Sequence, residues 1–284
     1  MYVRYKFREP DGLVIPKGPS FSNAGTIVSD IDGTVIKFKT PKHRPQYKNR
    51  KQLLPHPSYQ MDEMIFRSNY DEDIKVSDNW KTFDLFERSW AFYGPWFTGV
   101  MAELEMYFTL VKPVNYKNMD FSLFHPRAFE NIVADYLTNQ FSRYIDKDNG
   151  KHHYITPVEW QPLSHLPVVA VKLQLAPDEK VVSRTINHFA FFPIADQVMA
   201  CIQFIPSQLR AATQEELDKR VSRTPMYALM DNIIDSIQLT LSPEAQAQQK
   251  AALAGLEDTS LVKEFLPLNW DNTKPDSEFK KLER

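Results

Sequence analysis

Residues 100–111 alternate over a long run. Val100, Ala102, Leu104, Met106, Phe108 and Leu110 occupy every second position, with Glu103, Glu105, Tyr107 and Thr109 between them. Successive side chains of an extended chain point to opposite faces, so this run predicts a strand with one apolar and one polar face. Such a half-buried strand belongs to an antiparallel sheet. Three more strands are expected at 168–175, 184–192 and 197–205. The last two form a hairpin across Pro193, Ile194, Ala195 and Asp196. A short edge strand is expected at Val3 to Phe7.

Between these strands the period changes. From Pro126 to residue 145, Phe129, Ile132, Val133, Tyr136, Leu137, Phe141 and Tyr144 recur at three and four, which predicts an amphipathic helix. A second helix starts at Pro225 and carries Met226, Leu229, Met230, Ile233, Ile234 and Ile237 on one face. Thr213 with Glu216 forms a capping box for a short polar helix. Ser242-Pro243 opens a final helix of Ala and Gln, which Gly255 ends. The expected fold class is α+β: a twisted, mainly antiparallel sheet packed against two amphipathic helices, 126–145 and 225–238, both on one face. The expected organisation has three parts. Residues 1–89 hold a hairpin and charged segments packed on the main domain, 90–241 form the α+β core domain, and 242–284 are a C-terminal helix and tail. In that tail Leu261, Phe265, Leu266 and Trp270 could dock.

The stretch TIVSDIDGTVIKF, residues 26–38, admits two readings. Asp30-Ile31-Asp32-Gly33-Thr34 matches the opening motif of haloacid-dehalogenase-like phosphohydrolases. That resemblance implies Asp30 as nucleophile and Asp32 as the group that handles the leaving-group proton. It also requires Mg²⁺, a Lys and a late acidic pair, because the transferring phosphoryl group is highly charged. The nearest late pair, Asp231 and Asp235, lies on an amphipathic helix instead of beyond a buried strand. The other reading makes Asp32-Gly33 a two-residue hairpin turn, since Asp-Gly tolerates the positive φ that both central positions need. Ile31 then pairs with Thr34, Ser29 with Ile36 and Ile27 with Phe38, with Asp30 diagonal to Lys37 on the opposite face. The hairpin uses every residue of the stretch and is the preferred reading.

Other chemistry finds little support. The chain has 8 Gly against 20 Pro, few for a protein that cradles phosphates on glycine loops. The seven histidines include no pair at i, i+4, and Cys201 is the sole cysteine, so no metal site or cofactor is expected. Asp146 and Asp148 in DKDNGK begin like a calcium loop, but Gly150 and Pro157 stand where further ligands belong. Cys201 sits in an apolar strand and reads as a buried, inert thiol. The run KFKTPKHRPQYKNRKQ carries Lys39, Lys42, Arg44, Lys48, Arg50 and Lys51 and reads as an exposed loop. With a net charge of -2 overall, nucleic acid is not the expected partner. The chain has no run of about 20 apolar residues, so no membrane span is expected, and MYVRYKFREPDG lacks a signal peptide's apolar run. The expected location is cytoplasmic.

The order strand, helix, strand, hairpin, helix over residues 90–241 carries NHFAFFPIADQVMACIQFIP and closes in NIIDSIQLTLS. It resembles the antiparallel-sheet-plus-helix domains of the PsbP/DcrB-like group. That group includes non-enzymatic bacterial accessory proteins, some of them chaperones for secreted toxins. With 5 Trp, 12 Tyr and 19 Phe and no catalytic set, the chain also resembles cytoplasmic immunity proteins of contact-dependent toxin systems. Both resemblances imply protein binding without catalysis, the partner being a secreted toxin or effector. The candidate contact residues are Asp62, Glu63, Asp71, Glu72 and Asp73 in an acidic segment, whose charge speeds encounter with a basic face. Trp90 and Trp96 join them as aromatic anchors.

Overall fold

In a computed structural model, residues 10, 12–68, 79–114, 121–141, 154–177, 186–209 and 214–263 are described. The strand expected at Val3 to Phe7, the DKDNGK run, Thr213, and Phe265, Leu266 and Trp270 of the tail lie outside them. Among the described residues, two sheets and four α-helices make up the fold. The larger sheet has seven strands in the order β4-β5-β6-β10-β9-β8-β7. These are β4 (Arg67–Ser68), β5 (Trp80–Tyr93), β6 (Val100–Pro113), β7 (Tyr154–Pro162), β8 (Val171–Pro177), β9 (Asn187–Ala195) and β10 (Val198–Gln208). Every neighbouring pair in it is antiparallel. The smaller sheet has the order β11-β2-β1-β3, from β1 (Gly25–Ile31), β2 (Thr34–Thr40), β3 (Ser58–Tyr59) and β11 (Gln238–Thr240). The helices are α1 (Pro126–Phe141), α2 (Gln214–Arg220), α3 (Thr224–Asp235) and α4 (Pro243–Leu253).

The hairpin reading of residues 26–38 is the observed structure. Asp32 and Gly33 have φ of 48° and 81°, a turn whose twist matches that of its strands. Ile31 pairs with Thr34, Ser29 with Ile36 and Ile27 with Phe38. Ile31, Ile36 and Phe38 are buried, while Val28 on the opposite face is 43% exposed. This inner face packs onto the large sheet, where the Phe38 ring meets Phe86 edge-on at 5.2 Å and Phe108 at 5.8 Å.

The two amphipathic helices take opposite faces of the large sheet, which corrects the one-sided arrangement expected from the sequence. Phe129, Val133, Leu137 and Phe141 of α1 share a core with Phe189 and Phe191 of β9 and Met199 and Cys201 of β10. Met226, Leu229, Ile233 and Ile234 of α3 share the other core with Ala190, Phe192, Ala200 and Ile202, and with the small sheet. The reason lies in the central strands. HFAFF and VMACI are apolar at both parities, so each of their faces needs a cover. Leaving one face bare would expose several large side chains, each worth about 1.5–3 kcal/mol when buried.

The segment boundaries expected at 89/90 and 241/242 do not separate independent cores. β5 runs through Ser89 and Trp90, and the β1–β2 hairpin shares its core with α3 and β9. Ala245 of α4 belongs to that core too. The Ser242 hydroxyl accepts from Ala245 N at 3.1 Å as the helix cap, and Ser242 N donates to Thr34 Oγ1 at 3.1 Å. Leu261 does dock, against the α1 core.

Candidate functional site

β5 and β6 are the longest strands, and their connection projects Trp96 and Phe97. Gly94 N donates to Gly99 O at 3.0 Å, and Thr98 donates to Pro95 O through both N (3.1 Å) and Oγ1 (2.7 Å). Gly94 is required by space, since a Cβ there would lie 2.1 Å from Thr98 Oγ1. Trp96 and Phe97 take φ of 40° and 66° in succession. The left-handed region costs an L-residue about 1–2 kcal/mol. The turn hydrogen bonds hold it, and Trp96 is left 67% and Phe97 41% exposed. A large exposed Trp on a fixed backbone has the properties of an interface anchor.

Trp90 does not join Trp96. It is fully buried, opposite Leu104 in the β5–β6 register, and its indole N–H is shared between Pro41 O (3.3 Å) and Lys42 O (3.1 Å). Strand parity sends it inward, so the anchor role expected of it is corrected to a core role. Of the acidic candidates, Asp62 and Glu63 sit exposed in a turn after β3. Glu63 lines a broad cleft of about 770 Å³ together with Leu53, Tyr59, Ile65, Arg67 and Asp84. Asp71, Glu72 and Asp73 lie outside the described residues.

Asp30 and Asp32 serve the hairpin. Asp30 Oδ1 accepts from Gly33 N at 2.7 Å, and Asp32 Oδ2 accepts from Met61 N at 3.1 Å. The diagonal pairing of Asp30 with Lys37 is not among the ion pairs of the described residues. A second antiparallel strand follows Thr34, where the phosphohydrolase arrangement needs a helix. Asp231 pairs instead with Lys172 at 3.0 Å. Among the described residues no group of His, Cys, Asp and Glu is placed to hold a metal ion. Cys201 is buried, and burial raises its thiol pKa well above the usual range, so the thiolate is scarce.

Two polar clusters escaped the sequence reading. On the α1-side face of the large sheet, Arg50 turns inward from the basic loop that was expected to be exposed throughout. Its guanidinium donates to Glu105 Oε1 at 2.8 Å, to Glu105 Oε2, to Glu103 Oε2 at 3.4 Å and to Tyr107 OH at 3.0 Å. Tyr107 OH donates to Glu105 Oε2 at 2.6 Å, and Gln46 N donates to Glu103 Oε1 at 3.0 Å. Burial works against the Arg50 cation, but the hydrogen bonds and charges of Glu105, Tyr107 and Glu103 outweigh it and keep the group charged. Burial raises the Glu103 carboxyl, more than the Gln46 and Arg50 contacts lower it. Tyr107 is raised by burial and by its bond to Glu105. A signal was available: the acidic stripe of β6 and the basic loop at 39–51 are complementary in charge.

The second cluster lies on the α3 side, where His188 of β9 meets Tyr227 at 4.9 Å, ring edge to ring face. Arg223 donates to Tyr227 OH at 3.3 Å. Burial lowers His188 to a pKa of about 4, so the ring is neutral near pH 7. No protein-family model matches this chain, and no curated protein or solved structure matches it either.

Proposed function

We propose that the chain is a non-catalytic binding protein whose partner is another protein, of the kind that neutralises or escorts a secreted toxin or effector. The observation that carries this reading is the β5–β6 tip, where a left-handed backbone presents Trp96 to solvent. Strain of this sort persists where the surroundings over-determine it, and it concentrates at binding and switch sites. A rigid aromatic loses little conformational freedom on docking, which is why Trp is enriched among interface hot spots. The acidic turn at Asp62 and Glu63 adds charge that favours encounter with a basic face. The resemblances to PsbP/DcrB-like accessory domains and to immunity proteins point the same way. Among the described residues no helix is long and apolar enough to cross a membrane.

The test is co-purification of the tagged chain with the product of the neighbouring gene, followed by titration of that pair. Trp96→Ser should weaken the complex about tenfold or more, about 1.4 kcal/mol, while leaving the fold intact. An unchanged affinity would remove the tip from the interface. Mg²⁺-dependent turnover of p-nitrophenyl phosphate that disappears in Asp30→Asn would overturn the non-catalytic reading altogether.

A further inference from the structure

A second site lies on the large sheet away from the aromatic tip. Between α3 and strands β8 and β9 a cleft of about 140 Å³ opens, and Lys172, Gln174, His188, Tyr227 and Asp231 reach it. The Glu159 carboxylate lines it as well, and the remaining wall is apolar, with Leu173, Phe189, Met230 and Ile234. His188 is 6% exposed, and its Nε2 is buried without a hydrogen-bond partner. Most buried polar atoms in native proteins are paired, so an orphan in a cleft wall asks for a ligand or a water to complete it. At the mouth the Lys172 ammonium and Asp231 carboxylate stand 3.0 Å apart. They place a strong donor and a strong acceptor side by side, and the Gln174 amide offers both in one group.

These features define a ligand class. A cavity of roughly 150 Å³ holds a single benzene-sized ring, so this cleft has room for one ring. Aromatic and aliphatic side chains beside a few polar groups suit a small heterocycle. A neutral imidazole presents one donor and one acceptor nitrogen. A ring edge bearing both C=O and N–H can therefore satisfy whichever one faces it, and can use Lys172 and Asp231 as well. We propose that the cleft between α3, β8 and β9 binds one small planar heterocycle with an amide edge, of pyrimidine-dione or pyridine-carboxamide size. For so few atoms the dissociation constant falls at ~0.1–1 mM.

Fluorine NMR with 5-fluorouracil as probe tests this on the full chain, with fluorobenzene as the apolar comparison. The expected result is saturable broadening of 5-fluorouracil, displaced by unlabelled uracil and weakened about tenfold in both His188→Phe and Lys172→Met. Lys172 is partly exposed, so Lys172→Met keeps the test valid if His188→Phe does not fold. The proposal is overturned if 5-fluorouracil shows no saturable binding. It is equally overturned if the Lys172→Met variant binds as the parent does, or if fluorobenzene binds as well as 5-fluorouracil. That last result would make the cleft an apolar void and nothing more.

Discussion

Replacing Arg50 by Met should expose how the large sheet tolerates an acidic stripe. The substitution removes the cation from two carboxylates whose side chains are 4% (Glu103) and 17% (Glu105) exposed. Breaking a fully buried ion pair by deleting one partner costs about 3–5 kcal/mol. Arg50 itself is 26% exposed, so water can enter where it stood and recover part of that loss. The expected destabilisation is therefore about 2–3 kcal/mol at pH 7.5. The pH dependence is the sharper test. Glu103 already has a folded-state pKa above its ordinary 4.5, chiefly through burial. A carboxyl raised in this way binds more protons folded than unfolded, so its contribution to stability grows as pH falls through the folded pKa. Removing Arg50 takes away a charge that lowers this pKa, and the window moves upward. The gap between parent and variant should shrink between pH 7.5 and pH 5, to below about 1.5 kcal/mol. Urea unfolding at both values measures it. Adding Glu103→Gln to Arg50→Met should recover about 1 kcal/mol or more at pH 7.5, because an amide costs far less to bury than an unpaired carboxylate. A gap that stays constant or widens on acidification would refute the reasoning.

Gly33→Ala should cost about 1–2 kcal/mol, seen as a lower thermal midpoint, since φ of 81° is unfavourable for an L-residue. The added Cβ would also approach Ser242 Cβ at 3.3 Å and press on the α4 cap. Trp90→Ala should destabilise by about 3–5 kcal/mol, whereas Trp96→Ser should stay within about 0.5 kcal/mol in the free protein. Chemical denaturation of the two variants separates the core tryptophan from the surface one. An NMR titration of the His188 ring should show a midpoint near 4, against 6.5 for an unperturbed histidine. The unfolded chain protonates first as pH drops, so this residue subtracts stability progressively from about pH 6.5 toward 4. A midpoint above 6 would contradict the buried, neutral assignment.

Legibility followed the range of the interaction. The Asp32-Gly33 turn was readable because positive φ is a demand that a residue makes on its own backbone, and the register of β1 with β2 follows from the turn length. The Ser242 cap was readable for the same local reason. The β6 strand was readable from its period, and α1 from its apolar stripe, as far as Phe141 where the described helix ends. The candidate contacts were legible only as types. Two tryptophans in one aromatic run, Trp90 and Trp96, ended on opposite sides of the protein surface. Composition does not record which parity faces the core, and the register shifts within β5 interrupt the simple count.

By itself the sequence determined the class of fold, the strands β6, β8, β9 and β10, the helices α1, α3 and α4, and the hairpin that takes up the two early aspartates, because each depends on backbone geometry within a few residues. Tertiary structure alone decided that α1 and α3 lie on opposite faces, that Arg50 leaves its loop for a glutamate 55 positions away, and that His188 lines a cleft with its Nε2 unpaired. Those outcomes depend on which surfaces meet after the chain closes on itself. Packing and desolvation act between segments that share no local pattern, so no window along the chain contains them.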